Sequence, residues 1–196
     1  RCRDGSNFEA DAVISALPPW ALRRLVEESG LQDAIDIDFE AFIPSEILSL
    51  HFWSRRDLGL SLMTGLRETQ LHLIFSNGVD TDGSFRYSAT VSAVPVDFPL
   101  EDDALRTLLV AELRLAAPDL VDEDILRLMP IREKRATFVP LPRMEQKRPS
   151  AVTEVEGLYL AGDWTSTGLP ATIESAVRSG FAAASAVANT VPPIIH

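Results

Sequence analysis

The hydrophobic period of this chain changes twice, and that change constrains its fold more than any single residue does. In residues 85–94, FRYSATVSAV, Phe85, Tyr87, Ala89, Val91 and Ala93 alternate with Arg86, Ser88, Thr90 and Ser92. A period of two means a strand with one buried face. Residues 47–53 read the same way, with Leu48, Leu50 and Phe52 set against Ser49 and His51. In residues 71–75, Leu71, Leu73 and Phe75 are expected opposite His72 and Ile74, and a further strand is expected around 60–64. The connection SNGVDTDGS carries Asn-Gly and Asp-Gly turn signals. Together these segments predict a mostly antiparallel sheet.

Either side of that sheet the pattern differs. Residues 8–17 contain the nearly continuous apolar run AVISAL, as in a strand covered on both faces. Pro18 and Pro19 then open WALRRLVEESG, a helix stopped by Gly30. Near the other end, a strand at 158–161 leads through a loop to a helix from about 172 to 188. Between the sheet and that second pair come a helix over LEDDALRTLLVAELRL, which Pro118 is expected to end, the extended run ILRLMPIREKRATFV, and the Pro- and charge-rich loop PLPRMEQKRPSAVTEVEG. The helix has acidic residues in its first turn, where the helix dipole favours them, and a stripe of Leu105, Leu108, Leu109 and Leu113. The fold class is α/β at the ends and α+β overall. Residues 1–38 and 150–196 form one domain, and residues 39–149 are inserted into it.

Composition narrows the function. The 196 residues are 46% hydrophobic and 24% charged, a globular balance. A net charge of −11 repels phosphate, which excludes nucleic acid as a partner, and there is no polybasic segment for anionic lipid. The one cysteine, Cys2, allows neither an intrachain disulfide nor a cysteine zinc site, and the three histidines lack metal-ligand spacing, so no metal is expected. No apolar run reaches membrane-span length and no signal-peptide pattern opens the chain, so the cytoplasm is the expected compartment. The chain begins RCRDGSN without a Met and runs at once into a strand, which reads as the interior of a domain.

The most informative stretch is GLYLAGDWTSTGLPATIESAVRSG, residues 157–180. In doubly wound folds, ligands sit at the carboxyl ends of strands. Gly162 has no Cβ to hold a ligand or backbone away, and Asp163 offers two acceptor oxygens to sugar-like hydroxyls. The helix start near Thr172 exposes N–H groups and partial positive charge. A carboxylate for a polyol and N–H groups for a developing anion suit a flavin, with its ribityl hydroxyls and its N1/O2 edge. Along the helix, Ala176, Gly180 and Ala184 form a flat ridge for a close helix, and Ile173, Val177 and Phe181 a second ridge for the core. Trp164 reads equally as a flavin neighbour or a packing residue. His51 and His72 read as sheet-lining residues, and no catalytic acid or base is nominated. Phe85, Tyr87 and Val91 read either as lining for a lipid tunnel or, more ordinarily, as packing against a helix.

These residues carry a resemblance. LYLAGDWTSTGLPATIESAVRSG resembles the C-terminal flavin-binding signature of the FAD-dependent amine oxidase and phytoene desaturase superfamily, and ADAVISALPP resembles its second strand and Pro turn. EKRATF and RP…GLYLAGDWT resemble its squalene-associated, desaturase-like branch, the hydroxysqualene dehydroxylases. The resemblance implies part of a Rossmann-type FAD domain with an inserted substrate domain, FAD as cofactor, and an isoprenoid lipid as substrate. It also implies carotenoid desaturation or amine oxidation as alternative activities, and a flavin-free module for hydrophobic ligands as the non-enzymatic one. It places Gly162 and Asp163 at the ribityl and pyrophosphate region, and Ala171, Thr172 and Ile173 beside the N1/O2 edge. The superfamily's G-x-G-x-x-G does not occur in residues 1–196, so an incomplete FAD site is expected. Peripheral membrane contact and self-association both stay open.

Overall fold

The computed structural model describes residues 4–190. The chain divides into two compact units, Arg1–Ile43 with Pro140–His196, and Pro44–Val139.

The second unit is a five-stranded antiparallel sheet. Its strands are β2 (Pro44–Ser54), β3 (Met63–Gly65), β4 (Leu73–Val79), β5 (Phe85–Ser92) and β6 (Ile125–Phe138), in the order β3-β4-β5-β2-β6. Leu48, Leu50 and Phe52 of β2 are fully buried, as their alternation requires. They join Ile74, Tyr87, Ala89 and Val91 against Leu105, Leu109, Val110 and Leu113 of helix α2 (Asp102–Leu113). Each such leucine contributes about 1.5–3 kcal/mol by leaving water. Tyr87 stacks on Phe52 at 5.3 Å, and its hydroxyl donates to Asp57 and accepts from the Leu58 N–H. The Phe85, Tyr87 and Val91 face is therefore helix packing. β6, the extended run, is an edge strand, and its Pro130, Arg132 and Lys134 discourage further pairing.

Four local expectations differ from the structure. In residues 71–75 the faces are exchanged: Ile74, paired with Ala89, lies in the core, while Leu73 pairs with Thr90 and Phe75 with Ser88 on the other face. Leu71 is buried from the preceding loop, where Glu112 of α2 accepts the Gln70 and Leu71 N–H groups, so it is out of phase with β4. Asn77-Gly78 lies in a bulge within β4, and the reversal falls on Asp80–Gly83, where the Gly83 N–H meets the Asp80 carbonyl at 3.0 Å. Ala93 has φ 52 and lies beyond the end of β5, outside the alternating face. α2 stops at Leu113, ahead of Pro118, and the chain passes into turns in which the Leu115 N–H bonds the Glu112 carbonyl and the Ala116 N–H bonds the Leu113 carbonyl.

The first unit holds a two-stranded parallel sheet, β1 (Val13–Ser15) with β7 (Leu158–Leu160), in the register Val13↔Leu158, Ile14↔Tyr159, Ser15↔Leu160. The strand expected over 8–17 is confined to the residues that face β7. Val13 and Ile14 are exposed, so it is not covered on both faces. Helix α1 (Pro19–Glu28) starts on Pro19, whose missing N–H costs nothing there. It ends in a Schellman motif: Gly30 has φ 68, the Gly30 N–H bonds the Glu27 carbonyl, and the Leu31 N–H bonds Val26.

Helix α3 (Ile173–Thr190) overturns the assignment of Ile173, Val177 and Phe181 to the core, not the open ridge of Ala176, Gly180 and Ala184. Its buried stripe is Ser175, Ser179 and Ala183, whereas Ile173, Val177 and Phe181 are exposed at 85%, 51% and 73%. Ala176 and Ala184 are also exposed. The hydroxyls face inward because the strand-to-helix loop supplies their hydrogen-bond partners. No described helix is long and apolar enough to cross a membrane, and no described cluster of three His, Cys, Asp or Glu could hold a metal. Cys2 and His196 lie outside the described residues.

Candidate functional site

Because β1 and β7 are parallel, both carboxyl ends emerge on the same side, and the Ala161 N–H reaches the Ser15 carbonyl at 2.9 Å to extend the ladder. Gly162 follows with φ 142. A Cβ there would lie 2.5 Å from Trp164 Cδ1 and 2.6 Å from Nε1, so the position tolerates no side chain. The space that a Gly162 side chain would need is thus filled by the Trp164 indole. Trp164 is 1% exposed, donates from Nε1 to the Leu17 carbonyl at 3.0 Å, and meets Phe42 edge-on at 5.3 Å. It joins the chain leaving β1 to the chain leaving β7, and is a packing residue.

The loop is held from the helix side by hydroxyls. Ser179 accepts the Gly162 N–H at 2.7 Å. Ser175 donates to the Asp163 carbonyl at 3.2 Å and lies 2.6 Å from the Thr167 hydroxyl. Thr172 accepts the Ser175 N–H at 3.3 Å, which makes it the N-cap of α3. Behind the loop lies Arg148, 7% exposed. Its guanidinium donates to the carbonyls of Asp163 (2.6 Å), Leu169 (2.5 Å) and Trp164 (3.4 Å), and also to Glu145, Thr167 and Ser175.

Asp163 is half-buried, and burial pushes its carboxyl above the usual range; the Arg148 charge and the N–H groups of Asp163 and Trp164 pull the other way. Among the described residues its carboxylate has no side-chain hydrogen-bond partner and keeps spare acceptor capacity. Gly162, Asp163 and Thr172 are therefore joined in one network through Ser175 and Ser179. Ala171 is half-buried, and Ile173 faces solvent at the helix start, where the first N–H groups have no intrahelical acceptor.

Arg148, Thr167, Ser175 and Ser179 complete the site from positions outside those that the sequence predicts. The serines had a signal, the spacing i, i+4 beside a Gly-Asp turn; Arg148 had none, since its loop is charged throughout.

The outer face of the five-stranded sheet carries a second feature. Cross-strand pairing sets Met63, Phe75, Ser88, His51 and Met129 in one row, and Gly65, Leu73, Thr90, Ser49 and Ile131 in the next. Met63, Met129 and Ile131 are exposed, so this face is open and mixed apolar and hydroxyl. One end forms a cleft of about 310 Å³ lined by His51, Trp53, Asn77, Arg86, Ser88 and Met129. His72 is exposed and accepts the Ser92 N–H.

A parallel β-pair ending in Gly-Asp before a capped helix, with a separate antiparallel sheet unit, defines a mixed α/β protein. The chain belongs to the flavin containing amine oxidoreductase family, whose model matches residues 1–188. It is 60% identical to a hydroxysqualene dehydroxylase of Sinorhizobium fredii over 178 residues, 89% of this chain and 38% of that protein. It is 28% identical to the 15-cis-phytoene desaturase of Solanum lycopersicum over 204 residues, 94% of this chain and 34% of that one. Among solved structures it resembles putrescine oxidase bound to putrescine, at TM-score 0.58 and 16% identity, covering 91% of this chain and 43% of that one, a likeness of fold. The chain thus spans about two fifths of the length of these relatives.

Proposed function

We propose that the chain is the C-terminal part of an FAD-dependent oxidoreductase that converts hydroxysqualene to squalene. The observation that carries the cofactor reading is Asp163: a half-buried carboxylate with spare acceptor capacity, at the carboxyl ends of two parallel strands and beside the start of α3. That donor and acceptor set fits a flavin. In this reading Asp163 accepts hydrogen bonds from the ribityl hydroxyls near the pyrophosphate, and Gly162 gives the turn its shape. The helix start at Ala171, Thr172 and Ile173 would offer its free N–H groups to the N1/O2 edge. Held by these residues, a reduced flavin would supply the hydride and two electrons for replacing the hydroxyl by hydrogen, with the hydroxyl lost, together with a proton, as water.

The unit Arg1–Ile43 with Pro140–His196 then belongs to the FAD domain, and Pro44–Val139 to the substrate domain. The open sheet face supports an isoprenoid substrate. Four strand spacings give it a width of about 19 Å, with Met63, Phe75, Met129 and Ile131 as apolar bed and Ser88, Ser49 and Thr90 as hydroxyl contacts. The substrate follows the 60% identical relative; carotenoid desaturation, the activity named for the 28% identical one, is the second reading. The test incubates the full-length protein anaerobically with reduced FAD and hydroxysqualene, then with oxidised FAD and phytoene, and reads products by mass spectrometry. Squalene from the first supports the proposal; a desaturated carotene from the second alone refutes it.

A further inference from the structure

We propose that Arg148 is a positioning residue for the flavin hydroxyl site: its buried guanidinium draws the carbonyls of the Asp163–Leu169 loop inward and leaves the Asp163 carboxylate free for a ligand. The inference rests on the flavin reading of Asp163 given above.

An arginine close to a carboxylate ordinarily takes it in a bidentate pair. Arg148 does not. Nε donates to the Trp164 carbonyl; Nη1 to Glu145 and the Leu169 carbonyl; Nη2 to the Asp163 carbonyl, Thr167 and Ser175. All five N–H donors are thus committed. The Asp163 backbone is gripped while its carboxylate keeps its acceptor sites. The carboxylate still feels the positive charge, which opposes its desolvation and favours the ionised form a hydroxyl donor needs.

The shape of the group matters as much as its charge. Glu145, the one acidic partner, is 55% exposed, so most of the compensation for burying Arg148 comes from carbonyls and hydroxyls. A planar fork reaches three carbonyls at once; an ammonium, with three donors on one atom, does not. A loop with its carbonyls turned onto a central cation is a preorganised shell for the residue that meets the ligand.

The experiment titrates the full-length apoprotein with FAD across pH, following flavin fluorescence. Wild type is expected to lose affinity as pH falls through the Asp163 titration. Arg148→Lys keeps the charge but not the fork, so affinity should fall about tenfold or more with the pH midpoint kept. Arg148→Met loses both, so affinity should fall and the midpoint should move to higher pH. Asp163→Asn should bind weakly and without this pH dependence, and adding Arg148→Lys to it should change little.

Folded Arg148 variants with wild-type affinity and profile overturn the proposal. So does an Arg148→Met that loses affinity with no midpoint shift, because a merely structural role predicts that. If neither Arg148 variant folds, Ser175→Ala decides: a few-fold weaker FAD binding supports the role, and unchanged binding overturns it. A wild-type protein that binds no FAD at any pH overturns the flavin reading and this proposal with it. Failure confined to the Arg148 variants leaves that reading standing.

Discussion

Gly162→Ala should be the most damaging single-methyl change in the strand-to-helix loop. Its added Cβ would lie 2.5 Å from Trp164 Cδ1 and 2.6 Å from Nε1. The indole cannot retreat cheaply: it is 1% exposed, backed by Phe42 at 5.3 Å and tied to the Leu17 carbonyl at 3.0 Å. Backbone held at φ 142 adds strain of about 1–3 kcal/mol for a residue with a side chain. Overpacking adds about 1–3 kcal/mol, and a displaced indole hydrogen bond about 1 kcal/mol. The expected loss is about 3–7 kcal/mol, measured by urea unfolding of the full-length protein. Gly30→Ala is the control: φ is 68, yet nothing lies within 4 Å of the new Cβ, so only about 1 kcal/mol of backbone cost applies. Repeating Gly162→Ala in a Trp164→Ala background should recover the contact part of the loss. Equal effects of Gly162→Ala and Gly30→Ala, or no coupling to Trp164, would refute the steric account.

Leu50→Ala should cost about 2–5 kcal/mol, because Leu50 is fully buried under α2, while Met129→Ala on the open sheet face should stay near 0.5 kcal/mol; thermal unfolding distinguishes them. Asp163→Asn should flatten part of the stability–pH curve. Burial raises the folded carboxyl's pKa, so its contribution is fully present below the unfolded value and is lost as pH rises through the folded one. Residues 1–196 expressed alone should emerge from gel filtration nearly colourless, since no G-x-G-x-x-G in them cradles a pyrophosphate; stoichiometric flavin absorbance would contradict this. The same preparation should bind a hydrophobic dye or self-associate, and Phe181→Ser with Val177→Ser should reduce either signal, because both side chains stand exposed on α3.

The sheet was legible where burial alternates strictly. Leu48, Leu50 and Phe52 went to the core because β2 lies inside its sheet with α2 on one side, so nothing competes with the period-2 rule. The rule failed at residues 71–75, where an apolar residue outside a strand borrowed the strand's phase. Leu71 is buried because Glu112, a non-local partner, holds its backbone, and no local pattern records that. The strand at 8–17 was overextended for a related reason. Apolar composition suggested cover on two faces, but ladder length is set by the partner strand, and β7 offers only Leu158–Leu160.

The site was legible in its first half and hidden in its second. Gly162 and Asp163 stand out because a Gly-Asp step at a strand end is itself a chemical signal. What holds them comes from elsewhere: Ser179 is 17 residues on and Arg148 is 15 residues back. Hydrophobicity alone assigned Ile173, Val177 and Phe181 to the buried side of α3, whereas within this chain, about two fifths of its relatives' length, the buried side is Ser175, Ser179 and Ala183. A helix packed on a loop full of carbonyls and N–H groups is best served by hydroxyls, since an apolar face there would leave buried polar groups without partners. The small polar residues Ser175 and Ser179 therefore mark the packing face, and the large apolar ones are left exposed. The same logic applies to Arg148. In a loop of charges, the arginine that matters is the one whose donors the fold has already used, because that one grips the backbone of an adjacent acidic residue without taking its carboxylate.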